Sequence, residues 1–153
     1  MGRVDKYNRM VLDAIISGTP LPAKKAKEIA ESGLSESQIQ QSCIRWFQLV
    51  HPQLWKDGVL FHIPNERKCS VRQGRKLKSE GVVKGVADLC LAQAKHGFHA
   101  LYIEMKKPGN YQKPGQKEWQ TGIEKHGYKY VVCKSRDEFE KIVTEYLNES
   151  NDV

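Results

Sequence analysis

Apolar residues recur at helical spacing in two stretches near the start of the chain, Val4 to Ser17 and Ala23 to Glu31. Between them lies Gly18-Thr19-Pro20-Leu21-Pro22, a run that breaks a helix. No chemistry is visible in this helical preface. The pattern sharpens from Ser35, which suits an N-cap, with Gln38 three residues on as a capping box requires. Ile39, Cys43, Trp46, Phe47 and Val50 then follow at helical intervals up to His51-Pro52. Val59 to Ile63 has strand composition and stops at Pro64-Asn65, and the polar, basic segment after it predicts a loop with a short helix. Val82 to Ala92 and Ala100 to Lys106 predict two strands joined through Lys95-His96-Gly97, for which a hairpin is the natural connection. Pro108-Gly109-Asn110 ends the second strand and opens a polar loop through Gly115. Gln116 to His126 predicts a helix with Trp119 and Ile123 facing inward and Gly127 at the C′ position. Tyr128 to Cys133 reads as a strand, and Arg136 to Leu147 as a final helix with Phe139, Ile142, Val143, Tyr146 and Leu147 on one stripe.

The order helix, strand, strand, strand, helix, strand, helix implies an α/β fold with a mixed central sheet flanked by helices. A chain of 153 residues suits one such domain, expected over 34–148, with a helical extension over 1–33 and a flexible tail over 149–153. The only early apolar run, Met10 to Ile16, is short and interrupted by Asp13, so neither a signal peptide nor a membrane span is expected. The cysteines at 43, 69, 90 and 133 form no C-x-x-C pair, and three fall in predicted helix or strand among apolar neighbours. They read as reduced core residues of a cytosolic protein. His96-x-x-His99 beside Cys90 lacks a fourth ligand at a zinc spacing and reads as a turn around Gly97.

A net charge of +7 changes the picture because of where it lies. Between residues 66 and 84, Arg67, Lys68, Arg72, Arg75, Lys76, Lys78 and Lys84 face only Glu66 and Glu80. Between 105 and 117, Lys106, Lys107, Lys113 and Lys117 face no acid, so the rest of the chain is slightly acidic. Two local positive segments of this kind attract a polyanion, with DNA phosphates the natural partner. A solvated lysine-rich surface is the plainer alternative.

Within this frame three residues stand out. Glu104 and Lys106 are two apart on a strand and project to one face, with Leu101, Ile103 and Met105 turned to the core. Asp88 lies on the preceding strand, where a hairpin brings its carboxylate toward Glu104. Two carboxylates held together repel one another unless a dication lies between them, and few, hard oxygen ligands suit Mg²⁺ or Mn²⁺. The lysine would orient or help deprotonate a water, or stabilise charge on a phosphorus in flight. A surface ion pair gives the same spacing, and Glu66-Arg67-Lys68 with Asp57 upstream repeats it in a turn-prone stretch. Glu36 and Gln40, one helical turn apart, could add a carboxylate and an amide, or Glu36 is an ordinary first-turn acid. Gln116 could hydrogen-bond the water or a phosphate, or be simply exposed.

Five blocks in order carry a family resemblance: SESQIQQSCIRWF at 35–47, FHIPN at 61–65, RKLKSEGVVKGVADLCL at 75–91, LYIEMKKPG at 101–109 and QKEWQ at 116–120. Together they resemble the VRR-NUC nucleases of phages and bacteria, within the PD-(D/E)XK superfamily, over about Ser35 to Leu147. The resemblance implies a restriction-endonuclease-like core, with Asp88 and Glu104 binding Mg²⁺ or Mn²⁺ and the Met105 carbonyl as a further ligand. Lys106 would serve the water, with Glu36 and Gln116 in supporting helix positions. Ala87-Asp88 stands where the superfamily name has Pro-Asp. Phage members are similar to dimeric Holliday junction resolvases, which implies branched DNA as substrate, a homodimer, and a bacterial or phage-infected host cytoplasm. A DNA-binding protein without catalysis, or a nuclease for specific or general duplex, are the competing readings.

Overall fold

The computed structural model describes residues 3–65 and 68–148; the tail expected over 149–153, and Glu66 and Arg67 of the basic segment, lie outside the described residues. The chain divides into two compact units, Met1–Ser35 and Glu36–Val153. The first holds helices α1 (Arg3–Ser17) and α2 (Ala23–Ser32), with the Pro22 carbonyl accepting the first amides of α2 at 2.8 and 3.0 Å.

The second unit runs α3 (Glu36–Val50), α4 (Pro52–Lys56), β1 (Leu60–His62), α5 (Val71–Ser79), β2 (Leu89–Leu91), β3 (Leu101–Met105), α6 (Pro114–Glu124), β4 (Lys129–Cys133) and α7 (Arg136–Leu147). The strands lie in the order β1-β2-β3-β4, with the first two pairings antiparallel and β3–β4 parallel, which gives the expected mixed sheet. Its core joins Ile39, Cys43 and Phe47 of α3 to Phe139, Val143 and Tyr146 of α7 and to Leu89, Leu91, Leu101 and Ile103 of the sheet, all buried. Cys43, Cys90 and Cys133 are buried free thiols and Cys69 is exposed. Burial pushes the Cys133 thiol up to about 12, so it stays protonated. No helix among the described residues is long and apolar enough to cross a membrane.

The hairpin between β2 and β3 closes on His96 and Gly97, both at positive φ (51° and 79°), with Lys95 and Phe98 exchanging two main-chain hydrogen bonds. Two successive positive-φ residues are what a two-residue hairpin needs to match strand twist. His96 Nε2 lies 3.0 Å from the Tyr146 carbonyl and His99 meets the Tyr128 ring edge-on, so both histidines serve packing.

Several sequence expectations are corrected. The strand expected over 82–92 is paired only at 89–91; Val82 and Val83 are exposed, and 82–88 is a loop. The cause is Gly85 at φ +82°, a conformation no strand uses, where the backbone presses on the start of α6. Val50, placed with the apolar stripe of α3, is half exposed as the last residue of that helix, and Pro52 opens α4 two residues on. The helix expected from Gln116 begins at Pro114, the N1 position proline favours, which sets Gln116 at N3.

A Cβ added at Gly85 would lie 2.3 Å from the Gly115 carbonyl oxygen, against backbone that has no room to retreat. Gly85→Ala is therefore expected to lower stability by about 2 kcal/mol or more, from steric overlap and an unfavourable φ. Chemical denaturation checks this; a midpoint equal to that of the wild type would show that the two segments are not in contact.

Candidate active site

Glu104 and Lys106 follow from the alternation of β3, and as expected they share one face. That face is not open to water: Glu104 is 1% and Lys106 4% exposed, which removes the reading of a surface ion pair. Lys106 Nζ stands 2.8 Å from Glu104 Oε1. Gln116, 7% exposed, donates from Nε2 to that same oxygen, while its own Oε1 accepts the Lys113 N–H at 2.8 Å. One amide thus satisfies the first turn of α6 with one end and fixes a carboxylate with the other. Gln116 is not the exposed residue its composition allowed.

Burying two ions costs several kcal/mol each unless hydrogen bonds and mutual attraction offset it. Burial draws the Lys106 ammonium toward neutrality. The hydrogen bond and charge of Glu104, with the fields of Glu36 and Asp88, outweigh it and raise the group above its ordinary 10.5. Lys106 is a fixed cation at neutral pH.

Asp88 immediately precedes β2. The register Leu89↔Ile103, carried one step further, sets it across from Glu104 on the same side of the sheet. Its Oδ2 accepts the Met105 N–H at 2.7 Å, and its carbonyl accepts the Ile63 N–H at 2.8 Å, with His62 Nδ1 2.9 Å away. The Gln40 amide lies 3.2 Å from the same ring nitrogen. Asp88, Met105, Glu36, Gln40, His62 and Asn65 line a cleft of about 270 Å³. Glu36 Oε1 accepts the Lys107 N–H at 3.2 Å and the Asn110 side-chain N–H at 3.3 Å, so it also anchors the turn after β3.

Glu104, Lys106 and Gln116 are not in that wall. They form a covered cluster coupled to it through Asp88, whose charge, like that of Glu104, also bears on Tyr130. Burial first, then Glu104 and Asp88, push the Tyr130 hydroxyl up, while the Gln112 amide donates to it at 3.1 Å. Among the described residues no three His, Cys, Asp or Glu side chains stand close enough to form a ready-made metal cage.

The two basic segments touch where Gly85 meets the Gly115 backbone, next to Gln116. Arg72, Arg75, Lys76 and Lys78 lie exposed on α5, which Ser70 and Gln73 cap reciprocally. Lys68 is exposed just before it, Lys84 adjoins Gly85, and Lys113 and Lys117 flank the Gly115 backbone that Gly85 touches; Lys107 is half-buried. Arg67, expected in the same group, lies outside the described residues. His62, Asn65, Gly85 and Tyr130 also belong to this neighbourhood, and no local pattern marks them as chemistry. The signal for the first two was the FHIPN block, whose end lies at the cleft, with Asn65 donating to the Val83 carbonyl at 2.9 Å. The other two depend on contacts across more than ten residues of chain, which no local pattern carries.

The fold and cluster define a mixed α/β domain with a charged site at one end of its sheet. The family model of the VRR-NUC domain matches residues 34–137, and the chain belongs to that family. A solved structure described as a VRR_NUC domain protein is similar to it at 28% identity and a TM-score of 0.65, over 75% of this chain and 89% of that one. No curated protein matches. Membership implies a nuclease-type function with DNA as the substrate class.

Lys106→Met is expected to destabilise the fold by about 3 kcal/mol, because it leaves the Glu104 carboxylate buried without its cation. In a double-mutant cycle with Glu104→Gln the two changes should couple by at least about 1.5 kcal/mol; additivity would contradict the pairing. The folded-state value of Lys106 is raised, so its contribution is complete below the ordinary 10.5 and is lost as pH rises through the higher folded value. The gap between wild type and Lys106→Met should therefore hold steady between about pH 7 and 9 and narrow only at more alkaline pH.

Proposed function

We propose that this protein is an endonuclease that hydrolyses phosphodiester bonds in DNA with Mg²⁺ or Mn²⁺, leaving a 5′-phosphate. The observation that carries this reading is geometric: Glu104 is buried 2.8 Å from the Lys106 ammonium, Asp88 stands across from Glu104 in the strand register, and Glu36 accepts the Lys107 N–H, close to where Gly85 meets Gly115. Three negative charges against one positive leave an excess equal to the charge of one dication. The donors are hard oxygens: the carboxylates of Asp88 and Glu104, the Met105 carbonyl, and Glu36 at the cleft wall. That set fits Mg²⁺ or Mn²⁺, which keep several waters and take few protein ligands, so the absence of a three-residue cage is no obstacle.

Such a cation supplies Lewis acidity at phosphate oxygens and an acidified water when bound. The chain's own residues do the rest. Lys106, held protonated, acts by charge and by N–H donation. It orients the attacking water and offsets the negative charge that builds on phosphorus. Gln116 fixes the Glu104 carboxylate so that it does not rotate away. Glu36 braces the backbone of Lys107. Lys68, Arg72, Arg75, Lys76, Lys78, Lys84, Lys107, Lys113 and Lys117, with Arg67, hold phosphates, which set position without reading bases. Without a cation the acidic cluster would repel a phosphate, which counts against a DNA-binding protein with no catalysis. Preference for branched DNA such as four-way junctions, and action as a homodimer, rest on the resemblance to junction-resolving phage members.

The test is incubation of labelled junction, flap and linear duplex with Mg²⁺, Mn²⁺ or EDTA. Cutting should require the metal and fall by at least about a hundredfold in both Glu104→Ala and Lys106→Ala. Metal-dependent cutting that persists in both variants would move the activity to another site. Salt-sensitive binding with no cutting of any substrate would favour the non-catalytic reading.

A further inference from the structure

The loop after β3, residues 107–113, displays one aromatic ring. Tyr111 is 76% exposed, yet the residues on either side of it are tied down. Asn110 donates from its main chain to the Lys107 carbonyl at 2.9 Å and from its side chain to Glu36, a cleft-lining carboxylate. Gln112 donates to Gln120 at 2.9 Å and to the Tyr130 hydroxyl, beside the Glu104 cluster. Lys134 Nζ sits 4.6 Å from the Tyr111 ring centroid in a cation–π contact. A tyrosine whose purpose is packing is covered. This one is presented to solvent from a pinned backbone, next to the cleft and among Lys107, Lys113 and Lys134.

We propose that Tyr111 is a stacking platform for an unpaired nucleobase close to the bond that is cut. The proposal rests on the DNA-cleaving reading above and adds to it the feature of the substrate that is recognised. Every base has a flat π face, so stacking on a tyrosine tolerates any sequence, and flanking ammonium groups meet the phosphates on either side of the stacked nucleotide. In a continuous duplex both faces of each base are already stacked on neighbours, so the ring finds a partner only where a base is unpaired, as at gaps, flaps and strand exchanges. Tyr111 is in this account a specificity-determining residue and takes no part in the bond chemistry.

The experiment uses the full chain in Ca²⁺, so that binding is read apart from cutting, with gapped and fully paired DNA carrying 2-aminopurine at the gap. Wild type and Tyr111→Phe should quench the fluorescence of the unpaired 2-aminopurine and prefer the gapped DNA. Tyr111→Ala should lose the quenching and about tenfold in affinity for gapped DNA, collapsing that preference. Equal quenching and equal preference in all three proteins would overturn the stacking role while leaving the nuclease reading intact. Failure of the wild type to bind either DNA would overturn both.

Discussion

An ammonium and a carboxylate lie almost wholly out of water at the end of β3, and the surrounding structure is arranged so that neither is left alone. Each ion would be expelled from such a place if its partner were missing, because the desolvation cost of one buried charge exceeds what any single neutral hydrogen bond returns. Glu104 therefore has two donors on one oxygen, Lys106 and Gln116, and Lys106 has the field of two further carboxylates. Such a site leans toward more positive charge than it holds. That lean is the physical basis for reading it as a place where a dication and a phosphodiester meet.

The supporting contacts all serve to keep these groups in register. Asp88 spends one carboxylate oxygen on the Met105 main chain, which ties the loop before β2 to the strand that carries Glu104. The close approach of Gly85 to Gly115 sets α6 against that same loop, so that Gln116 reaches Glu104 and the lysines at 84, 113 and 117 come to one neighbourhood. Glu36 reaches from α3 to the turn after β3. Four segments distant in sequence are thereby held together, two of the ties being carboxylate to main-chain bonds, from Asp88 to Met105 and from Glu36 to Lys107.

Much of this was legible from residue order alone. The hairpin turn at Lys95-His96-Gly97, the inward stripe of α7 and the shared face of Glu104 and Lys106 follow from periods of two and 3.6, which are properties of the backbone. The burial of Glu104, Lys106 and Gln116 did not follow. Composition would place each of these polar groups at the surface, and their burial comes from tertiary packing, with Gln116 of α6 bonded to Glu104 of β3. The end of the strand within 82–92 is hidden for a related reason: Val82 and Val83 look like strand, while Gly85, at positive φ, packs on backbone thirty residues away. His62 and Asn65 were visible as part of a block and silent as chemistry, since their meaning comes from where β1 ends relative to Asp88.

The claim at the centre of this account is that one end of the sheet holds a divalent cation between the side chains of Asp88 and Glu104. Anomalous diffraction from crystals grown with Mn²⁺ tests it most directly. The account predicts a single strong peak within about 2.5 Å of oxygens from both carboxylates and of the Met105 carbonyl. A peak elsewhere on the molecule, or none at this end of the sheet with the metal in excess, would contradict it.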